Sequence, residues 1–534
     1  HILSLWLYQI EVVSNAIEYY TPETVVSVRS EQRHIEQSAW IESSDRFVAG
    51  IARQICNAGK IEFESISLQI DSGNLRKRVS RGLKRTLSEV LYGIVRKINN
   101  SEKKLIITPA IDFQMDKVLN DLKREFSDNY RLAVIGLPYK AMLNNICGLF
   151  TNNKHDYDYL PCNKNRNVNG DSSFIEQKNI FREKLFKIIN AWNYRGVSVG
   201  SWLKQRYKDC LEPEVIDKTY GHSYHLNKYL DKWNPVFVLS PFSRMFSAVL
   251  GELSVLKNIP SMVIPHGSFT PVYDESSKME WMENALGMIN TKYKYVAVQT
   301  PLAERFLSDI NCKSKAVVTG PLLFGRKRRQ TTGNMELRRR YSLDEDYIIL
   351  HAGTPKHRAC SRLLNYETVD EYVDGMDSLI NAVSKLKNIH LIIRHRNIDG
   401  LDSNKLKEIL PRSDSYSIAS DGIFSDYLSI SDLLVSFSST TIEEALQNNI
   451  PVLLFNKYNR YQHMRGTVLS LNESCFTPSA LYNVNSGDDL LFAIEWILSN
   501  HLSKKIDPEK LFNKYKYTDS EITALSGFIK SVLE

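Results

Sequence analysis

The sequence has no apolar run of the ~18–20 residues that a membrane-crossing helix needs. Its opening stretch, HILSLWLYQIEVV, is apolar but short, lacks a basic lead-in and a cleavage site, and reads as the first helix or strand of a domain. Seven cysteines, Cys56, Cys147, Cys162, Cys210, Cys312, Cys360 and Cys475, stand singly with no CxxC pair. That excludes zinc ribbons and dithiol redox motifs and points to a reducing compartment. GxxxxGK[ST], GxGxxG and HExxH are all missing, which disfavours a Walker phosphate loop, a dinucleotide-dependent dehydrogenase and a zincin. Charge is nearly balanced, with 68 Lys and Arg against 61 Asp and Glu, a net of +7. This surplus permits anionic ligands or anionic lipid, and no nucleic acid is expected. Its foci, NLRKRVSRGLKR (Asn74 to Arg85), GRKRR (Gly325 to Arg329) and LRRR (Leu337 to Arg340), read first as solvated faces or linker. Their alternative is a patch facing a membrane surface or polyanionic acceptor. The expected location is cytoplasmic, with peripheral contact at the inner membrane allowed.

What is present is ordinary globular composition, 43% hydrophobic and 24% charged. At 534 residues the chain exceeds one hydrophobic core. Short β-branched runs alternate with helical stretches, which argues for βαβ units and parallel sheets. ETVVSVRS, KKLIITPA and YRLAVIGLP read as early strands. The polar stretch Asn152 to Asp171 reads as a loop, and Ser172 to Tyr229 as helical. The clearest strand–helix–strand unit is NPVFVLSP, FSRMFSAVLGELSVLKNI, PSMVIPHGS; YKYVAVQT, PLAERFLSDI and KAVVTGPL follow. A basic seam, FGRKRRQTTGNMELRRRYSLDED, suits a linker ending in a helix. A second alternation then starts at YIILHAGTP and runs through IHLIIRHRN, YSIAS, DLLVSFSS, TTIEEALQNN and IPVLLFN to terminal helices. The expected architecture is α/β with two Rossmann-like lobes: residues 1–325 with a helical insertion near 152–229, a linker at 326–345, and residues 346–534.

Loops at the carboxyl ends of strands line the ligand crevice of an open parallel sheet. In the first half these carry Glu31, Ser240 to Arg244, and His266-Gly267-Ser268. In the second they carry Gly353-Thr354-Pro355-Lys356 with Arg358, then Arg394-His395, then Ser438-Ser439-Thr440-Thr441. The four hydroxyls of SFSSTTIEEAL exceed what one helix cap needs, and N–H groups with clustered hydroxyls suit phosphate. A glutamate one turn in can meet a ribose diol. Gly353 lets backbone approach a ligand, and Lys356 and Arg358 can neutralise a diphosphate. His266 ends an apolar strand before a glycine turn, as a backbone-bonded terminus or as an imidazole facing the crevice. Asp274 and Glu275 on the following loop could orient it or act themselves. Nothing suggests a metal triad, so no metal or other cofactor is expected.

PVFVLSPFSRMFSAVLGELSVLKNIPSMVIPHGS, YVAVQTPLAERFLSDI and DLLVSFSSTTIEEALQNNIPVLLFN resemble segments of bacterial surface-polysaccharide (capsule or O-antigen type) glycosyltransferases of the GT-B fold. The last also resembles units of sugar-nucleotide epimerases and teichoic-acid glycerophosphotransferases. The likeness covers roughly Asn234 to Asn456. It implies a UDP- or CMP-linked sugar held by the second half and a glycan or lipid-linked acceptor on the first. Ser438, Ser439 and Thr440 would hold donor phosphate, Glu444 the ribose, and His266 the reaction centre. His266, then Asp274 or Glu31, would be the base, with Lys356 and Arg394 on the leaving phosphate. Two features depart from the pattern: Glu443 and Glu444 are adjacent rather than spaced, and RHRN replaces the His-Pro of GT-B sialyltransferases. Epimerase, CDP-polyol phosphotransferase and non-catalytic polysaccharide-binding readings stay open beside the transferase.

Overall fold

The computed structural model describes residues 2–30, 45–68, 103–109, 115–126, 129–135, 158–160, 171–267, 269–271, 274–324, 332–341, 347–353, 355, 366–398, 401–459, 461–473, 475–501 and 508–534. The chain forms two compact units. One comprises His1–Glu102, Val134–Asn234 and Arg358–Ser361; the other comprises Lys103–Ala133, Pro235–His357 and Arg362–Glu534. Both α/β sheets thus fall chiefly in the second unit.

The first unit opens with a helix, Ile2–Tyr20, followed by strand β1 (Thr24–Ser30), helix Asp45–Gly59 and strand β2 (Glu62–Leu68). β1 and β2 pair in parallel from Thr24↔Glu62 to Ser30↔Leu68. Ile10 and Ile51 are buried with Val197 and Val199 from later in the chain. The polar stretch read as loop contains a short strand, Asp158–Leu160, and ends in Asp171, whose carboxylate accepts the Phe174 N–H at 3.1 Å and caps helix Ser172–Ile189. The expected helical region continues as Val199–Arg206, a π-helix Tyr207–Ile216 and Asp217–Trp233. Pro213 inside the π-helix has no N–H to donate, and the wider turn tolerates that. Gly200 is required sterically: a Cβ there would lie 1.8 Å from the Ile189 carbonyl oxygen.

Chiefly in the second unit, β3 (Lys104–Thr108), β4 (Tyr130–Ile135), β6 (Phe237–Ser240), β7 (Ser261–Val263), β8 (Tyr295–Val298) and β9 (Lys315–Val318) form one sheet; Asp158–Leu160, in the first unit, is numbered β5. Strand order runs β4-β3-β6-β7-β8-β9, and the pairs from β3 to β9 are parallel. The second sheet comprises β10 (Tyr347–Ala352), β11 (Ile389–Arg394), β12 (Tyr416–Ala419), β13 (Leu433–Ser436), β14 (Val452–Phe455), β15 (Thr467–Val468) and β16 (Leu481–Val484). Its order is β12-β11-β10-β13-β14-β16-β15, parallel throughout. These are the two Rossmann-like lobes that the alternation predicts. The near-continuous apolar strands follow from helices on both faces. Ile349, Leu391, Leu433 and Leu453 pack with helices Val369–Val383 and Gly487–Asn500. Ile348, Leu350, Leu434 and Val452 face the opposite layer, which includes Leu446 and Phe512.

Helix Thr332–Arg340, at the seam, is tied to the second lobe: Arg340 pairs with Asp421 at 2.7 Å, and the Tyr341 and Tyr427 hydroxyls lie 3.1 Å apart. Helix Leu525–Leu533 returns to the first sheet. Ser526 donates to Glu125, Phe528 packs edge-on against Tyr295 at 5.0 Å, and Thr523 N–H donates to Val318 O at 2.8 Å. Among the described residues no helix is long and apolar enough to cross a membrane.

Candidate functional site

The second sheet reverses its strand order between β10 and β13, the position where open α/β sheets form a crevice. Gly353 follows β10 and Ser438 to Thr441 follow β13, so both motifs lie at this point. Ser436 Oγ donates to the Ala352 carbonyl at 2.6 Å and ties the two strand ends together. A Cβ on Gly353 would meet His351 Cε1 at 3.4 Å and Glu367 Oε2 at 4.0 Å, both ordinary contacts. The protein therefore does not itself demand glycine there. Thr354, Lys356, Arg358, Glu31 and Ser268 lie outside the described residues.

The hydroxyl run does not cap its helix as expected. Thr440 precedes helix Thr441–Gln447 without a side-chain cap, and Ser439 Oγ instead accepts the Thr441 N–H at 3.3 Å. Ser438 to Thr441 are half-buried, whereas Glu443 and Glu444 are buried. Glu443 Oε1 accepts the Thr300 hydroxyl at 3.3 Å. Next to Ser438 in the chain, Phe437 lines a small cleft together with Glu367, Glu371, Phe455, Asn456 and Tyr458, among others. Lys457, also on its lining, is paired to Asp374 at 2.7 Å.

Two expected ligand residues are turned elsewhere. The Arg394 guanidinium donates to the carbonyls of Ala419 at 3.0 Å and Gly422 at 2.8 Å and lies over the Tyr427 ring. It thus faces β12, on the side of the sheet away from β13. His395 is 0% exposed. Its Nε2 bonds the Leu401 carbonyl at 3.0 Å, and its Nδ1 meets the Tyr372 hydroxyl at 3.3 Å. A carbonyl only accepts, so Nε2 carries the proton and Nδ1 accepts from Tyr372. Burial lowers the His395 pKa. The imidazole belongs to the lobe interior. Neighbouring His351 is also buried, its Nδ1 without a hydrogen-bond partner among the described residues; burial, with His395 beside it, pushes its pKa down to about 3.

In the first lobe, His266 follows β7 and its Nδ1 lies 3.3 Å from the Pro241 carbonyl, at the end of β6. That contact puts the proton on Nδ1 and the lone pair on Nε2, the form a general base requires. Gln299 braces this loop: its Nε2 donates to Pro265 O at 2.5 Å, and its Oε1 accepts Leu322 N–H at 2.7 Å and Leu323 N–H at 2.9 Å. A Cβ on Gly267 would come within 3.1 Å of the Phe269 ring. Asp274 caps helix Glu275–Ala285, with its oxygens accepting Ser277 N–H at 2.8 Å and Ser277 Oγ–H at 2.9 Å. Its carboxylate is thereby engaged in local structure.

The strand-end loops of the two sheets meet. Thr270, four residues beyond His266, donates to the His463 carbonyl at 3.1 Å. Trp281 Nε1 donates to the Tyr461 hydroxyl at 2.5 Å, which lies 2.8 Å from His463 Nδ1. Phe269, Trp281, Phe437 and Tyr461 share one buried cluster. His463 is 3% exposed, and burial pushes its pKa down to about 4. Gln299, Thr300, Trp281, Tyr461 and His463 escape the sequence reading. The strand-end rule applied to YVAVQTP would have selected Gln299 and Thr300; nothing local marks the other three. Among the described residues no group of three or more His, Cys, Asp or Glu is placed to hold a metal.

No family model and no curated protein matches the sequence. Among solved structures, the chain is similar to the UDP-GlcNAc 2-epimerase from Neisseria meningitidis bound to UDP-GlcNAc, at 15% identity and a TM-score of 0.46, covering 81% of this chain and 99% of that one. It is similar to the UDP-GlcNAc 2-epimerase from Methanocaldococcus jannaschii at 12% identity, TM-score 0.44, covering 80% and 98%. It is also similar to a glycosyltransferase from Rickettsia africae at 14% identity, TM-score 0.42, covering 81% and 97%.

Proposed function

We propose that the chain is a sugar-nucleotide enzyme that breaks the bond between an anomeric carbon and a nucleotide phosphate. The observation that carries this reading is the pairing of Gly353 with Ser438 to Thr441 at the switch point of the second sheet. Backbone amides and hydroxyls there suit phosphate. His266, whose lone pair is on Nε2, is the first candidate for base, on the loop that reaches the second lobe through Thr270.

Loss of the nucleotide is shared by transfer to an acceptor hydroxyl and by epimerisation of the sugar, so the site supports the first step of both. A UDP- or CMP-linked sugar, a glycan or glycolipid acceptor and independence from metal belong to this proposal. Incubating the purified chain with nucleotide sugars, without acceptor, tests it. A new isomer or released nucleotide marks an epimerase; turnover only on adding acceptor marks a transferase. Unchanged melting with every nucleoside mono- and diphosphate, where saturation at ~100 times Kd should add about 2.7 kcal/mol, would refute both. His266→Ala should abolish turnover and leave nucleotide-induced stabilisation intact.

A further inference from the structure

The FREKLFKII stretch lies in helix Ser172–Ile189, which carries more apolar residues than its packed side uses. On that side Phe174 stacks on Tyr220 with ring centres 3.7 Å apart, Phe186 packs edge-on against Tyr207 at 5.4 Å, and Ile189 is buried. Lys178 and Arg182 pair with Glu212 there, both at 3.3 Å. At about 100° per residue, Ile180, Lys184 and Ile188 point the opposite way, with Phe181 and Lys187 at their edges. Ile180, Phe181 and Ile188 are 44%, 53% and 64% exposed. Lys184 and Lys187 are exposed and form no ion pair among the described residues. Glu176 and Glu183 stand on the flank, beyond Lys187. Just past the helix, Trp192 is 41% exposed. Its turn is fixed by Arg195, which donates to Glu11 and to Asn15 at 2.7 Å each, and by Gly196 at φ +80°.

We propose that this face rests on an anionic lipid surface. Three aliphatic and aromatic side chains with an adjoining tryptophan match the depth of the headgroup boundary, and lysines set among them reach lipid phosphates. A dry protein partner would have to desolvate both lysines, whereas a headgroup layer pairs them. The helix would lie along the surface, because no helix of the described chain is suited to span it. This docking is independent of the sugar-nucleotide reading and places the chain beside lipid-linked substrates if that reading holds.

The test is co-sedimentation of the full chain with vesicles of phosphatidylcholine alone, or containing about a third phosphatidylserine. The expected result is binding at least tenfold stronger to the anionic vesicles. The double variant Phe181→Asp, Ile188→Asp should weaken it more than tenfold. Lys184→Gln and Lys187→Gln should each cost about fivefold, and as exposed conservative changes they should fold like the parent, checked by melting temperature. The proposal is overturned if the parent chain ignores both vesicles, if the folded lysine variants bind as the parent does, or if the aspartate variants change only the chain's oligomeric mass by light scattering, which would mark a protein interface.

Discussion

Acid should strip stability from the second unit through His463, by an amount its surroundings allow to be worked out. The imidazole is 3% exposed and lies 2.8 Å from the Tyr461 hydroxyl through Nδ1. Since Tyr461 already accepts the Trp281 N–H, its own proton goes to His463, which leaves Nδ1 an acceptor and the ring neutral. Burial holds the pKa at about 4 against an ordinary 6.5. Between those values the unfolded chain binds a proton that the folded chain does not. Stability therefore rises with pH across the window, is fully present above about pH 7, and is lost as pH falls. At ~1.36 kcal/mol per pH unit of displacement, the loss is about 2 kcal/mol at pH 5 and about 3 kcal/mol below pH 4. His463→Asn keeps an acceptor near the Nδ1 position and removes the titration. Urea midpoints read by tryptophan fluorescence from pH 8 to pH 5 would give the difference between the two proteins, in which other titrating groups cancel. That difference should fall by about 2 kcal/mol. Parallel pH profiles would refute the reasoning, because they would mean that the folded imidazole takes up its proton as readily as the unfolded one.

Gly353→Ala should leave the melting temperature within a degree or two while nucleotide-induced stabilisation drops at least tenfold in apparent affinity, since a Cβ there meets only ordinary contacts within the protein. Equal affinity by calorimetry would remove Gly353 from the ligand site. Tyr461→Phe orphans both the Trp281 N–H and His463 Nδ1, and chemical denaturation should show a loss of about 2–4 kcal/mol. Asp274→Ala should cost about 1 kcal/mol through its lost cap, measured by melting, with turnover retained; abolished turnover in a folded variant would make Asp274 the base.

The sheets were the legible part. VFVLS, YIILHA, IHLIIR and DLLVS announce themselves because strands covered on both faces must be apolar without interruption. β16 escapes notice because Leu481–Val484 interposes a tyrosine and an asparagine, and β2 because Glu62–Leu68 has only Phe63, Ile66 and Leu68 as apolar residues, neither a continuous run nor a strict alternation. At the site, strand-end position identified where Gly353, His266 and Ser438 would stand. It could not tell which way a side chain turns. Arg394 and His395 are neighbours in sequence; one reaches carbonyls at the end of β12 and just past it, and the other enters the core. The Trp281–Tyr461–His463 chain joins residues 180 apart in sequence, and no local pattern encodes such a meeting.

The return of helix Leu525–Leu533 to the first sheet has a consequence for how the molecule is made. β9 closes that sheet at Val318, yet the helix lying against Tyr295 and Glu125 leaves the ribosome about two hundred residues later. At a typical 5–20 residues per second, the nascent sheet waits ten seconds or more with that flank bare. During synthesis the amino-terminal lobe is thus the exposed partner, and a cut or frameshift near residue 520 should injure it rather than the lobe in which the lesion lies.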